Sequence, residues 1–87
     1  WDAEFIQAMA TLGAAYYMNG QYDESIKISE KAIEKQPGFA PAWNNLSLAW
    51  FEKGDYDKAA EYADKAIEFG FDVRPEYLEE IAAHRNK

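Results

Sequence analysis

His84, beside Arg85 near the C terminus, is the single histidine of the chain, and a general base would have to be sought there. Such a base needs one group to orient its ring and a nucleophile to serve. Neither is identifiable, so His84 reads as a partly exposed helix residue. The chain has no cysteine, which removes disulfides, thiolate metal sites and thiol nucleophiles together and leaves the redox compartment open. The pairs Asp55/Asp57 and Glu79/Glu80 offer the hard oxygen ligands that calcium or magnesium takes, yet no calcium-loop pattern surrounds them. Helix capping and solvation account for both pairs. The glycines stand singly, with no loop that would cradle a phosphate. No catalytic residue, no metal site and no cofactor is expected, and the chain is not expected to be an enzyme.

Charge narrows the partners. Sixteen acidic against nine basic residues leave a net charge of −7. Phosphate backbones and anionic lipid call for basic patches, so neither nucleic acid nor membrane is an expected partner. The excess is uneven: residues 1–39 carry six acids and three lysines, residues 40–73 seven and three, and residues 74–87 three of each sign. No apolar run approaches the roughly 18 residues of a membrane span, and no signal-peptide pattern opens the chain. It starts on Trp1 rather than methionine, which reads as an excised or processed segment. With 87 residues, one small domain over 1–87 is expected, and 48% hydrophobic residues provide material for its core.

The elements that must position any site follow from a repeat. GQYDESIKISEKAIE from Gly20 returns as GDYDKAAEYADKAIE from Gly54, and residues 6–39 set above 40–73 without gaps agree at ten of 34 positions. Self-similarity at a fixed period marks stacked supersecondary units. Each unit reads as two helices around a glycine turn. Phe5, Met9, Leu12 and Tyr16 recur at helical spacing in the first, and Trp43, Leu46 and Trp50 in the second, giving each first helix its core stripe. Gly20 and Gly54 sit where a helix ends in the left-handed conformation. Asp23 and Asp57 are placed to cap or electrically favour the next helix. Ala32, Ala59, Ala63 and Ala66 give the second helices, running to Lys35 and Phe69, a small face for close approach. Pro37 and Pro41 break the chain between units, and Pro75 opens a last helix over about 76–84 with Leu78, Ile81 and Ala82 inward. The expected fold is all-α, a solenoid of stacked antiparallel helix pairs with about five helices.

These residues resemble the tetratricopeptide repeat family, whose 34-residue unit has a W-x2-L-G-x2-Y, A-x3-F, A-x3-P skeleton. Met9, Leu12, Gly13, Tyr16, Ala32 and Pro37 match it in the first unit (6–39), and Trp43, Leu46, Ala59 and Ala66 in the second (40–73). Ser47 replaces the glycine, Trp50 the tyrosine, and Phe71 the usual proline. Ser25 and Ser29 stand where an alanine and a bulky residue are usual and should loosen the packing of that helix slightly. Residues 74–87 look like the solvating helix that closes such arrays, with Glu76, Glu79, Glu80 and Arg85 outward.

The resemblance implies a groove lined by one face of every first helix. In the first unit this places Gln7, Ala10, Thr11, Ala14, Tyr17 and Met18 on it, and in the second Asn44, Asn45, Leu48, Phe51 and Glu52. Of these, Gln7, Thr11, Tyr17, Asn44, Asn45, Leu48, Phe51 and Glu52 are the expected partner contacts. Family members that grip a chaperone tail by its terminal carboxylate use a lysine and asparagine, then an asparagine, then a lysine and arginine. Only Asn45 matches, while Gln7 and Thr11 occupy the first pair. The last pair is Glu76 and Glu80, or Pro75 and Glu79 if the preceding loop has no extra residue. Carboxylates there repel a carboxylate, so that ligand is rejected. Asn45 is left to hold a peptide backbone or to fix the joint between helices. The expected function is a protein interaction module whose groove takes a partly apolar, neutral or basic peptide. The alternative is a structural spacer or self-association module, a fragment of a longer tetratricopeptide repeat array, able to form a homo-oligomer through exposed repeat ends such as Trp1 and Phe5.

Overall fold

The computed structural model describes residues 3–86, which form five α-helices: α1 (Ala3–Met18), α2 (Tyr22–Lys35), α3 (Ala40–Glu52), α4 (Tyr56–Glu68) and α5 (Pro75–Arg85). The expectation for Trp1 lies outside the described residues. Consecutive helices pack on one another, and α3 also packs on α1. In place of one central core there are three successive clusters. Ile6, Met9, Ala32 and Ala42 join α1, α2 and α3; Ile26, Leu46 and Ala49 join α2 to α3; and Ala59, Ala63 and Ile81 join α4 to α5. Each cluster involves only neighbouring elements, as quasi-one-dimensional stacking requires.

The turns repeat as the sequence implies. Gly20 and Gly54 have φ of 78° and 89°, and after each the next amide bonds back to close the helix end: Gln21 to the Tyr16 carbonyl and Asp55 to that of Trp50. The end of α4 uses the same device through Gly70. A side chain at these positions would be forced into the left-handed region, which glycine enters cheaply. Of the acids after the turns, Asp55 caps α4 by accepting from the Lys58 amide at 3.1 Å. Asp23 and Asp57 lie in the first turn of their helices, two residues past the capping position, and do not cap. They favour the positive N-terminal pole and bind a cation from a following first helix: Asp23 pairs with Lys53, and Asp57 with Arg85 at 3.0 Å. The Lys53 ammonium holds the exposed Asp23 carboxyl below its usual range. Pro41 stands in the first turn of α3, so it opens that helix, where its missing N–H costs nothing.

Equivalent residues have unequal fates. Leu46 is 0% exposed and its counterpart Leu12 is 42% exposed, because α2 covers α3 whereas nothing among the described residues precedes α1. Phe5 is likewise exposed, so of the expected stripe Met9 is buried and Tyr16 half-buried while Phe5 and Leu12 face out, and α1 also buries Ile6, Ala10 and Gly13. On α5, Ile81 is buried with Tyr77 and Leu78 half-buried, and Ala82 faces out.

The two helix pairs solve their tightest contact in mirrored ways. The Ser25 hydroxyl of α2 donates to the Gly13 carbonyl of α1 at 2.8 Å, whereas in the second pair the Ser47 hydroxyl of α3 donates to the Ala59 carbonyl of α4 at 2.7 Å. Gly13 and Ser47 are counterparts, as are Ser25 and Ala59, so one hydroxyl has moved across the joint. Ser25 therefore ties its helix down, contrary to the expected loosening. Ser29 differs, since its buried hydroxyl has no hydrogen-bond partner among the described residues and sits 3.0 Å from where a Cβ on Gly13 would lie. Ser25→Ala should cost about 1 kcal/mol by removing a buried hydrogen bond, while Ser29→Ala should be neutral or stabilising because it removes an unsatisfied group. Urea unfolding midpoints of the two variants check this pair of opposite signs.

Candidate functional site

The first helices supply one side of the molecule. Asn45, buried at 7% exposure, donates its side-chain amide to the Ala10 carbonyl of α1 at 2.9 Å. One of its two amide N–H groups is thereby spent on the α1–α3 joint, and burial keeps the side chain from a partner. Ala10 is buried at the same joint. Asn44, its chain neighbour, is half-buried, and its side chain makes no hydrogen bond among the described residues. The amide left open to a partner is thus that of Asn44.

Phe51 is also drawn into the structure. Its ring meets Tyr77 edge-on at 5.5 Å and His84 at 5.4 Å, so it closes the α3–α5 joint. His84 in turn stacks on Tyr56, centroids 4.3 Å apart and planes within 7°. The lone histidine is a packing residue that seats the last helix, and the adjacent Arg85 fastens that helix to Asp57.

The remaining expected contacts do reach the surface. Gln7 and Thr11 are exposed on α1, where the Thr11 hydroxyl donates back to the Gln7 carbonyl at 3.0 Å. Tyr17 is half-buried against Tyr22, and burial together with the neighbouring Glu52 carboxylate pushes its phenol above the ordinary value. Met18 is exposed, as is Glu52.

Between α3 and α5 lies a cavity of about 680 Å³ lined by Asn44, Leu48, Phe71, Asp72, Val73, Arg74, Glu76, Tyr77 and Glu80. It brings Asn44 and Leu48 together, and leaves Gln7, Thr11 and Tyr17 on the open surface outside its lining. Its other apolar walls come from the loop after Gly70 and from α5, which sequence reasoning did not assign to a site. The signal was the Phe71–Asp72–Val73 alternation where the skeleton has proline.

A family model described as tetratricopeptide repeat matches residues 8–72. The chain belongs to the tetratricopeptide repeat family. No curated protein matches it. Tetratricopeptide repeat proteins mediate protein–protein contacts and are generally non-catalytic scaffolds. Among the described residues no cluster of three or more His, Cys, Asp or Glu side chains could hold a metal ion, and no helix is long and apolar enough to cross a membrane.

Tyr77 forms one wall of the cavity and is held from behind. The Ser47 hydroxyl has one proton and gives it to Ala59, so the Tyr77 hydroxyl donates to Ser47, at 2.8 Å. Burial pushes the Tyr77 phenol from its ordinary 10.0 up to about 12. Between these two values the unfolded chain loses the proton and the folded chain keeps it, so this contribution to stability is complete below pH 10 and is lost as pH rises toward 12. The urea midpoint should fall across that window, and fall less steeply in Tyr77→Phe, with Tyr17 and Tyr62, also raised, accounting for the remaining slope.

Proposed function

We propose that the face formed by α1, α3 and α5 binds a partly apolar, neutral or basic segment of a partner polypeptide, with Asn44 and Leu48 at the centre of the contact and Gln7, Thr11, Tyr17 and Glu52 extending it along α1 and α3. The observation that supports this reading is the α3–α5 cavity, which exposes Leu48 and Phe71 beside the unpartnered Asn44 amide. An amide that donates and accepts can pair with an extended backbone, and apolar walls supply the area term. The acidic balance of the chain favours the approach of a neutral or basic partner at low salt. Phe51 and Asn45 support the shape of this surface from beneath. Random dodecapeptides displayed on phage and panned against the domain should yield binders that lose affinity about tenfold toward Asn44→Ala/Leu48→Ala. Helical circular dichroism should be unchanged in that variant. Equal affinity for the wild type and the folded variant would contradict the assignment.

A second reading has its own observation. Leu12, Ala8 and Phe5 line an open end face with a cavity of about 560 Å³, while the counterparts of Leu12 and Ala8, Leu46 and Ala42, are fully covered by a neighbouring helix pair. The occupant that suits such a face is another helix pair, here a second copy of the chain. Sedimentation across a concentration series should reveal dimers that disappear in Phe5→Ser/Leu12→Ser. A wild-type monomer at every concentration would oppose self-association.

A further inference from the structure

We infer that the α3–α5 cavity is a subsite for an apolar side chain next to a lysine or arginine in the partner segment, with Glu76 and Glu80 as the groups that read the positive charge. This deepens the groove reading and rests on it. The floor is fixed: Leu48 is half-buried, Val73 is buried, and Tyr77 is tethered through its hydroxyl to Ser47. A cavity of about 680 Å³ has room for a side chain together with adjoining backbone.

The rim decides which neighbour that side chain has. Glu76 and Glu80 are four residues apart on α5 and therefore share one face of the helix, and Asp72 adds a third carboxylate from the loop. None of the three makes an ion pair among the described residues, in contrast to Asp23 and Asp57, whose charges are already met within the chain. Arg74 is the one cation in the lining. Three carboxylates against one guanidinium repel an anionic ligand and attract a cation. The aliphatic stem of that lysine or arginine can lie along the apolar edge of the cavity beside the apolar side chain that fills it, while its head reaches the rim. Arginine is favoured where its planar fork meets a carboxylate through two hydrogen bonds.

The probe is a positional-scanning library of N-acetylated, C-amidated octapeptides, read by fluorescence polarisation at low and high salt. The expected selection is a leucine-class or aromatic residue with arginine or lysine within two positions. Glu76→Gln/Glu80→Gln, both at exposed positions and checked for unchanged helical circular dichroism, should reduce the preference for the basic residue about fivefold and leave the apolar preference in place. Arg74→Ala should act in the opposite direction and strengthen basic peptides about twofold. Added salt should erase the basic preference first. Retained peptides that show no basic preference, or a preference untouched by the glutamine variant, overturn the subsite while the groove reading stands. Retention of no peptide at all overturns both.

Discussion

Every helix pair in this chain depends on two backbones coming close enough for a serine hydroxyl on one helix to reach a main-chain carbonyl on the other. Ser25 does so toward Gly13 and Ser47 toward Ala59. The contact demands small residues on both sides, which is why Gly13 faces Ser25 and Ser47 faces Ala59, with Ala63 and Ala66 buried along the same helix. A hydroxyl that spans such a joint satisfies itself without adding bulk, so polarity costs little there. Where the hydroxyl finds no acceptor, as at Ser29, the same closeness leaves it stranded.

From that contact the remainder follows outward. Paired helices present one apolar side to the next pair, giving three local clusters in series along a molecule 42 Å by 26 Å by 18 Å. Charges at the helix starts tie the joints from outside through Asp23 with Lys53 and Asp57 with Arg85. The last helix is seated by rings, with His84 on Tyr56 and Phe51. Seating it there leaves a hollow between its N-terminal half and α3, and the carboxylates of the hollow's acidic rim make no ion pair among the described residues.

Much of this was legible in the residues. The 34-residue period gave the helix pairs, the turn glycines gave their ends, and Ala32, Ala59, Ala63 and Ala66 marked the faces that became fully buried. What escaped was context, because periodicity assigns one environment to both copies of a repeated position. Leu12 and Leu46 share a residue type and differ in burial only through what stands before them. Asn44 and Asn45 are adjacent and identical in chemistry, and a rotation of one helical step sends the second inward to Ala10. Phe51 was read as surface because the rings that cover it come from Tyr56, Tyr77 and His84, at other places in the chain. Phe71 and Val73 lie in a loop, and their alternation about Asp72 spans three residues, too few to assign them a face.

The close approach of paired helices is most directly tested by adding bulk where it should be intolerable. Ala59→Val places two methyl groups in the fully buried joint that α4 makes with its neighbouring helices beside Ser47, and Ala83→Val places them on the exposed face of α5 as a control for the β-branched cost in a helix. Overpacking should lower stability by about 1–3 kcal/mol more in the first variant than in the second, measured by urea unfolding. Equal midpoints for the two variants would show that the joint has room to spare and would contradict the account.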